Sequence, residues 1–594
     1  MADISAGDLD SLVELDPTDL VVVSRGGAVL ATGTVAEIVE MAGGEGDGIS
    51  ADFIAGLTVQ ANADLTVQIP VKVASLMRQF AFNLRDVQRI IDLDVQTRLG
   101  MGDYLRVWGD GGWKRIAATD LLQSIGGVLD ITQAPYNCVG DGKEVRDVTV
   151  LSGNLNIYSA TSLWTLEDVG KDIWLGDKSR AIAFFHTTIA GFVDNEHIVL
   201  TAAPGFTATN IVCAWGTDNT AGLQAAYQDA GAPEGEYNVK GKAVIHPPGA
   251  YMTNNLFMYP GSTLFGYSGR TCYLMRIPSA STQPTLQNHA ESDRYPIITD
   301  LGIYGLKQLQ TGVQRGYYYN GPSGASDIIP FPLWQGIWIW ETSGDGFVQA
   351  DASGGVMSKI NIADCGGLGY KSAAFDMLSD AVYISGCSAG GAVWTSAANA
   401  NSMSNWKISY NGRNPFNNDA THLDTGMGLY NAGEDNIFTN IRIQETWADG
   451  WVEAGKGTVG RGIKIEDAGN IRSRLGQGPV PSRAKARAYI HLLGCIDCDM
   501  EFNTSYAIPF GHATLYGTHC LFMSDPGGVM EDNDIRIRPR RNMKLSGQYY
   551  APVVADAFGV QSTTGDYAAA LYGDDIAGTI SATNNITIKG VSVI

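Results

Sequence analysis

From residue 242 onward, short segments of alternating apolar and polar residues recur at a nearly constant interval. Ile362, Ile384 and Ile408 each lie in such a segment, and the steps between them are 22 and 24 residues. Alternation with a period of two is typical of β-strands. A repeat of this length predicts a parallel β-solenoid in which like residues stack from rung to rung. Cys365 and Cys387 follow at one constant offset, so we expect both to lie in an internal stack.

The next comparable segment follows after a longer interval than the repeat predicts. Ile443 lies 35 residues after Ile408, and the extra length falls between Asn411 and Ala432. This predicts a protruding loop, and in a solenoid such insertions collect on one face, which is often the binding face.

The first 130 residues contain a weak internal duplication. Residues 19–27 parallel residues 103–112, and each copy reads as a hairpin followed by a short helix; two unrelated β-turns are the alternative. Between the copies, apolar residues follow alternating steps of four and three, which predicts a helical seam and an oligomerisation candidate, with a monomeric amphipathic helix as the alternative. The seam residues are Val73, Met77, Phe80, Leu84, Val87 and Ile91.

Three motifs follow in order: residues 136–144 contain Gly-Asp-Gly, residues 216–226 contain Thr-Asp-Asn-Thr, and residues 244–251 contain Pro-Pro-Gly-Ala-Tyr. Thr217, Asp218 and Asn219 offer side-chain oxygens to the free amides of a helix start. Together the motifs resemble the start of right-handed parallel β-helices of the pectate-lyase superfamily, in the form found in bacteriophage tailspikes and tail fibres. Residues 145–215 separate the first two motifs, and their strand pattern is similar to the small β insertion of many phage members.

The resemblance implies a mainly β fold, a right-handed parallel β-helix with small N-terminal α/β anchoring modules and a short helical neck. The expected segments are an anchoring module at 1–72, a neck at 73–99, a second module at 100–130, the β-helix start with its inserted β domain at 131–217, the β-helix at 218–545 and a C-terminal β-rich cap or trimer contact at 546–594. It further implies a homotrimer in the virion tail that docks on tail, baseplate or portal-proximal proteins and recognises a bacterial surface glycan.

The amino-acid composition limits the classes of function that this protein can have. The formal net charge of −22 argues against a nucleic-acid partner, since phosphate binding needs concentrated Lys and Arg. We expect no membrane insertion, and the first residues lack the pattern of a signal peptide, which favours synthesis in a cytoplasm. The eight cysteines and eight histidines show no metal-ligand spacing, so neither a metal nor a cofactor is expected, and Cys495 and Cys498 are interpreted as packing residues.

Glu445 and Asp449 form the predicted catalytic pair. They leave a strand beside Trp447 and Trp451, and a sugar-cleaving groove uses one acid, one base or nucleophile, and flat apolar rings. The alternative is a solvated turn with surface tryptophans. Trp338 and Trp340, on one side of a strand, join Trp447 and Trp451 as predicted glycan-binding residues.

An alternative acidic site comprises Asp497, Asp499 and Glu501, which alternation places on the outer face of one strand. Arginines at 536, 538, 540 and 541 follow, so a plain ladder of acids and bases, within or between subunits, explains both clusters and is the favoured interpretation. Three functions stay open: a polysaccharide depolymerase acting as hydrolase or lyase, a non-catalytic receptor-binding adhesin, and a structural tail component.

Overall fold

The structure, a computed structural model, describes residues 20–25, 28–34, 104–109, 112–117, 128–231, 241–289, 296–321, 332–351, 353–412, 426–446, 449–466, 468, 487–505, 518–524, 529–539, 553–555, 562–564, 567–570, 579–580, 584–588 and 591–592. The chain divides into two units, Met1–Gly126 and Gly127–Ile594. The predicted helical neck at 73–99 lies outside the described residues.

The first unit contains two antiparallel hairpins. One pairs Leu20–Arg25 with Ala28–Thr34, and the other pairs Tyr104–Gly109 with Gly112–Ala117. These are the hairpins expected from the duplicated segments, and the short helices predicted after them lie outside the described residues.

The second unit is a coil of parallel strands, which confirms the predicted right-handed parallel β-helix. Each full rung contributes one strand to each of three sheets. The first sheet contains Val128–Asp130, Ala243–His246, Thr263–Gly266, Ile297–Thr299, Leu333–Gln335, Val356–Ser358, Leu378–Asp380, Ser402–Ser404 and Ile437–Thr439. The second contains Gly249–Thr253, Cys272–Arg276, Gly302–Tyr304, Trp338–Trp340, Asn361–Ala363, Tyr383–Ser385, Lys407–Ser409 and Arg442–Gln444.

Later strands run through both of these sheets, and the third sheet closes the coil. The shared strands are Val459–Glu466, Asp499–Ser505, Asp534–Pro539 and Asn585–Ile588, with Val591–Ser592 antiparallel at the end. The third sheet contains Leu256–Met258, Leu286–Asn288, Tyr317–Asn320, Phe347–Asp351, Leu368–Ser372, Gly390–Trp394, Met427–Asn431, Trp451–Glu453, Arg487–Leu493, Thr518–Ser524, Val553–Ala555, Ser562–Thr564 and Tyr567–Ala570. Val529–Met530 and Thr579–Ile580 form a separate pair.

The core lies inside the coil, where inward residues of successive rungs stack. Ile362 pairs with Ile384, which pairs with Ile408, which in turn pairs with Ile443, so the predicted repeat is confirmed. Cys365, Cys387, Cys495 and Cys498 are all buried and free, as a packing role requires. Trp406 is buried in the same core.

The corners of the rungs require a left-handed backbone. Glu341, Asp364 and Glu445 follow strands of the second sheet and have φ values of 50°, 52° and 54°. Their amides donate to carbonyls of the following rung, so the corner residues form a column along the coil. Asp and Asn tolerate this conformation better than most residues, and Gly386 occupies the same column.

A six-stranded closed barrel is inserted between the first two motifs. Its strands are Lys143–Val150, Asn156–Tyr158, Asp172–Asp177, Ile182–Asp194, His197–Leu200 and Ala208–Gly216, with short 3₁₀ turns at Leu166–Asp168 and Lys178–Arg180. The barrel has its own apolar core around Trp164 and Trp215. A second apolar cluster, which includes Trp174, Met275 and Tyr304, joins the barrel to the outside of the coil.

The helix Thr220–Ala230 packs on the coil through Leu223, Ala226 and Tyr227. The expected helix-start oxygens are only partly used as predicted. The carboxylate of Asp218 accepts from the Thr220 amide at 2.8 Å, whereas the Asn219 side chain bonds to Val139 on the incoming chain. The motif therefore ties the two ends of the insertion together as well as starting the helix. No described helix is long and apolar enough to cross a membrane.

Candidate functional site

Two of the tryptophans predicted to bind glycan lie on the outer face of the second sheet. Trp338 and Trp340 are half-buried, and Ile339 between them points into the core. Strand alternation therefore sends both indoles outward. The guanidinium of Arg270 lies 4.1 Å from the centre of the Trp338 ring, a cation–π contact that stabilises this ring at the surface.

The Trp340 indole belongs to a cluster of three aromatic rings from successive rungs. It stacks on Tyr304 with ring centres 5.0 Å apart and planes inclined by 17°. Tyr273, one rung earlier, meets Trp340 and Tyr304 edge-on at 5.2 and 6.2 Å. Gly302 beside these rings is essential to the packing, because a Cβ there would lie 2.6 Å from the Cβ of Tyr273. Tyr304 is only 5% exposed, so the half-buried rings of Tyr273 and Trp340 supply what apolar surface this cluster offers for stacking on a sugar.

Two carboxylates converge on the hydroxyl of Tyr304. Glu144 comes from a strand of the barrel, and Glu341 occupies the corner that follows Trp340. The Tyr304 hydroxyl donates to Oε2 of Glu144 and lies 3.4 Å from Oε2 of Glu341. Arg146 bridges the pair: its Nε lies 2.8 Å from Oε1 of Glu144, and its Nη2 lies 2.7 Å from Oε2 of Glu341.

Burial and nearby charges shift the pKa values of Glu144 and Tyr304. Burial raises the pKa of Glu144, the nearby Glu341 charge raises it further, and the Tyr304 hydrogen bond and the Arg146 charge oppose the rise. Burial, followed by the charges of Glu144 and Glu341, raises the pKa of Tyr304 well above its usual value, so this hydroxyl stays a donor. The raised pKa disposes the Glu144 carboxyl group to hold a proton.

Because both carboxylates approach one hydroxyl, their nearest oxygens lie within about 6 Å of one another. This upper limit is shorter than the spacing of an inverting pair, so the arrangement fits a retaining glycosidase, in which one carboxyl protonates the leaving oxygen and the other attacks the sugar. The side chains of Glu144 and Glu341 are 14% and 16% exposed, so both reach the surface beside the aromatic cluster.

The sequence-predicted pair occupies another part of the coil. Glu445 lies at the corner after Arg442–Gln444, and Asp449 follows in the same connection; each is only 6% exposed. Oδ2 of Asp449 lies 3.3 Å from Nδ1 of His491, which belongs to the third sheet. The corresponding corners one rung before and after carry the long connections at 410–426 and 467–486. The protruding loop predicted between Asn411 and Ala432 lies largely outside the described residues, and Met427–Asn431 within that range is a strand of the third sheet.

The two remaining tryptophans differ from the prediction. Trp447 lies outside the described residues. Trp451 is fully buried, packs edge-on against Phe438 and Phe502, and donates its indole N–H to Glu453 at 2.9 Å. The Trp451 ring points into the interior of the coil. The prediction that Trp451 stacks on a glycan is therefore wrong.

The alternative acidic site is an ion ladder within one chain. Asp497 lies at a corner with φ 53°, outside the strand that holds Asp499 and Glu501, so the three do not share one strand face as predicted. Asp499 pairs with Arg461 of the preceding rung, and Glu501 lies 2.9 Å from Arg538 of the following rung. The ladder interpretation therefore accounts for Asp499 and Glu501. Within the described part of the chain, no three His, Cys, Asp or Glu side chains are grouped to hold a metal ion.

Sequence reasoning missed Glu144, Arg146, Tyr304 and Glu341 because almost 200 residues separate the first from the last. The available signal was the adjacency of Trp340 and Glu341. This signal identifies a site only once the inserted barrel is known to pack against the outer face of the second sheet.

No family model and no curated protein matches this chain. Among solved structures, full-length tailspike protein 2 from an Escherichia coli O157:H7 bacteriophage is similar over 72% of this chain and 56% of its own, with 12% identity and a TM-score of 0.39. The Dettilon tailspike protein is similar over 84% of this chain and 73% of its own, with 11% identity and a TM-score of 0.43. The A-module of a mannuronan C-5 epimerase from Azotobacter vinelandii is similar over 56% of this chain and 95% of its own, with 14% identity and a TM-score of 0.32.

The chain thus spans little more than half the length of the full-length tailspike. At these identities the similarity concerns the fold, and the parallel β-helix is established by the strand pairing itself.

Proposed function

We propose that this chain is a phage tailspike that binds a bacterial surface polysaccharide along the outer face of the second sheet and cleaves it at the Glu144–Glu341 pair. One observation carries the proposal: two carboxylates from separate parts of the fold meet at the Tyr304 hydroxyl, beside the half-buried rings of Tyr273 and Trp340. A glycosidase needs both features in one place.

In the proposed reaction Glu144 is the acid and Glu341 the nucleophile. Glu144 gives its proton to the glycosidic oxygen, which leaves as an alcohol, while Glu341 attacks the anomeric carbon and forms a glycosyl ester. Water then attacks the anomeric carbon and releases Glu341, and Glu144 takes a proton from that water. Arg146 bridges the carboxylates in the structure described here. A sugar that displaces its guanidinium would leave two like charges side by side, which further favours protonation of Glu144.

The test uses purified full-length protein and capsule or lipopolysaccharide from candidate hosts, followed by size-exclusion chromatography of the glycan and an assay of new reducing ends. We expect wild type to shorten one polysaccharide, and Glu144→Gln and Glu341→Gln each to abolish shortening. Product formed with retained anomeric configuration, followed by NMR, would match the short separation of the carboxylates. Glu434→Gln is the matched control, because Glu434 is an exposed acid paired with Lys456.

The same experiment includes Glu445→Gln and Asp449→Asn, since that pair is the competing proposal for the catalytic site. Loss of cleavage in those variants, with cleavage intact in the Glu144 and Glu341 variants, would move the site to the corner beside His491. Thermal unfolding of every variant separates loss of chemistry from loss of fold, which matters because Arg146 also links the barrel to the coil.

The second candidate function is a receptor-binding adhesin without cleavage. It is favoured by the same aromatic cluster, which offers stacking whether or not the bond is broken. Intact polysaccharide that co-elutes with the protein would establish it. Attachment to the virion tail through residues 1–130, and a homotrimer whose three sites raise avidity, belong to this proposal; light scattering measures the oligomeric state directly.

A further inference from the structure

The outer face of the second sheet changes character along the coil. One column of outward side chains, linked by strand register from rung to rung, begins with aromatic residues and ends with cations. In order it reads Tyr273, Gly302, Trp338, Asn361, Tyr383, Lys407, Arg442, Lys464, Asn503 and Arg538. We call Lys407, Arg442, Lys464 and Arg538 the basic column.

The basic column carries more positive than negative charge. Glu466 contacts both Arg442 and Lys464, at 2.8 and 2.5 Å, and Glu501 contacts Arg538 at 2.9 Å. Lys407 forms no ion pair with any residue that the structure describes, and its ammonium lies 5.2 Å from the centre of the Tyr383 ring. Four cations thus face two carboxylates on this strip.

Stacking of like charges on adjacent rungs disfavours the fold. Lys407, Arg442 and Lys464 occupy consecutive rungs, and rungs are about 4.8 Å apart. Like charges directly opposite one another on neighbouring strands are destabilising. The ion ladder of Asp499 with Arg461 shows the arrangement that avoids this repulsion. Glu466 relieves part of this repulsion, but one carboxylate is shared by Arg442 and Lys464, and Lys407 on the preceding rung has no ion pair with a described residue, so the column keeps an excess of positive charge that can attract an anion.

The overall charge does not cancel this local field. Charges farther apart than about 8 Å are largely screened at physiological ionic strength, whereas neighbours in the column lie well inside that distance. The formal net charge of −22 is distributed over 594 residues. A flexible anion that follows the column would therefore meet several cations at once.

We propose that the basic column binds the negatively charged groups of an anionic polysaccharide, so that the glycan runs along the coil axis from the basic column to the aromatic cluster. This inference rests on the proposed function and specifies its substrate class as a polysaccharide with carboxylate or other acidic substituents. Continuity favours a glycan over another occupant, because Trp338 and Tyr383 lie in the same column as the cations. An acidic surface of a second copy, or a nucleic acid, are alternative occupants that the test must separate.

The test compares binding of polygalacturonate, hyaluronate and alginate with binding of the same polysaccharides after chemical reduction of their carboxyl groups. The full-length protein is used as wild type, as the triple variant Lys407→Gln/Arg442→Gln/Lys464→Gln, and as the control variant Lys242→Gln/Lys371→Gln/Lys456→Gln, which removes three exposed lysines elsewhere. We expect wild type and control to bind at least one anionic polysaccharide, carboxyl reduction to abolish that binding, and the column variant to bind about tenfold more weakly or worse.

Four results would overturn the inference: equal binding of reduced and unreduced polysaccharides, no binding of any polyanion, equal losses in the column and control variants, or equal affinity for duplex DNA. A change of oligomeric state in the column variant alone, measured by light scattering, would instead make the column a contact between copies. Failure here is distinguishable from failure of the proposed function. A protein that cleaves only a neutral host glycan through Glu144 and Glu341 would retain the function and lose this substrate class.

Discussion

Asp141 accepts two hydrogen bonds from Thr217, one from its amide and one from its hydroxyl, each 2.9 Å long, although 76 positions of sequence separate the residues. The carboxylate also lies 3.0 Å from Nζ of Lys171 in the barrel. Asp141 therefore closes the insertion at its base, where the chain leaves the coil and returns to it.

Substitution of Asp141 by Ala should loosen the base of the barrel. Loss of the two hydrogen bonds and the ion pair is expected to lower the stability of this region by about 2 kcal/mol. Limited proteolysis followed by mass spectrometry would locate new cleavage within residues 143–216, with Asp218→Ala as the control that affects only the start of the helix. Equal protease resistance of wild type and Asp141→Ala would contradict this role.

The sequence predicted the insertion because its two flanking motifs were recognisable separately. It could not predict how they join, since hydrogen bonds over 76 positions depend on the barrel ends meeting. The rungs of the coil were easier to predict from the sequence, because Ile362, Ile384 and Ile408 repeat the same local environment. The regular stacking of a solenoid can be recognised from its sequence, whereas a site formed by two separate modules leaves no local sequence pattern.

A buried acid predicts how stability depends on pH. Glu453 is fully buried inside the coil and accepts hydrogen bonds from Asn431 at 2.7 Å, Thr458 at 2.9 Å, the Gly455 amide at 3.0 Å and Trp451 at 2.9 Å. Burial, the largest effect, outweighs these bonds and raises its pKa from 4.5 to about 7.

Because the folded pKa exceeds the unfolded value, the contribution of Glu453 to the free energy of unfolding is fully present below about pH 4.5 and is lost as the pH rises through about 7. The loss amounts to about 3 kcal/mol. Urea unfolding followed by tryptophan fluorescence at several pH values should show this decline. Glu453→Gln should be less stable at low pH, since its amide cannot accept from both sides, and should lack the decline. An unchanged pH profile in Glu453→Gln would refute the assignment.

Arg146 should set the pH range of catalysis. Its charge and hydrogen bond lower the pKa of Glu144, in opposition to burial. Arg146→Met should therefore raise the pKa of Glu144 further and move the alkaline limb of kcat/KM to higher pH, because Glu144 must be protonated to act as acid. A profile measured on the host polysaccharide tests this shift, and Arg180→Met is a control, because Arg180 donates to the backbone carbonyls of Thr209 and Asn210. A limb that moves to lower pH would exclude Glu144 as the acid.

The candidate site also shows why tryptophans mislead when taken from sequence alone. Trp340 and Trp451 both follow alternating patterns, and both have an acid nearby, yet one faces outward and the other inward. Whether a tryptophan ring points inward or outward depends on the register that the corner before its strand imposes. That register is fixed by backbone conformation at the corner, which an alternating pattern does not reveal.

The two indoles should therefore respond oppositely to substitution. Trp340→Ala removes the half-buried ring that stacks on Tyr304 and should weaken glycan binding by about tenfold, with a smaller fall in the unfolding midpoint than Trp451→Leu causes. Trp451→Leu opens a cavity between Phe438 and Phe502 and removes the indole donor of Glu453, so it should destabilise the coil by about 3 kcal/mol. Affinity electrophoresis in gels containing the host polysaccharide, run beside thermal unfolding, measures both effects. Weakened binding by folded Trp451→Leu with undiminished binding by Trp340→Ala would place the glycan elsewhere on the coil.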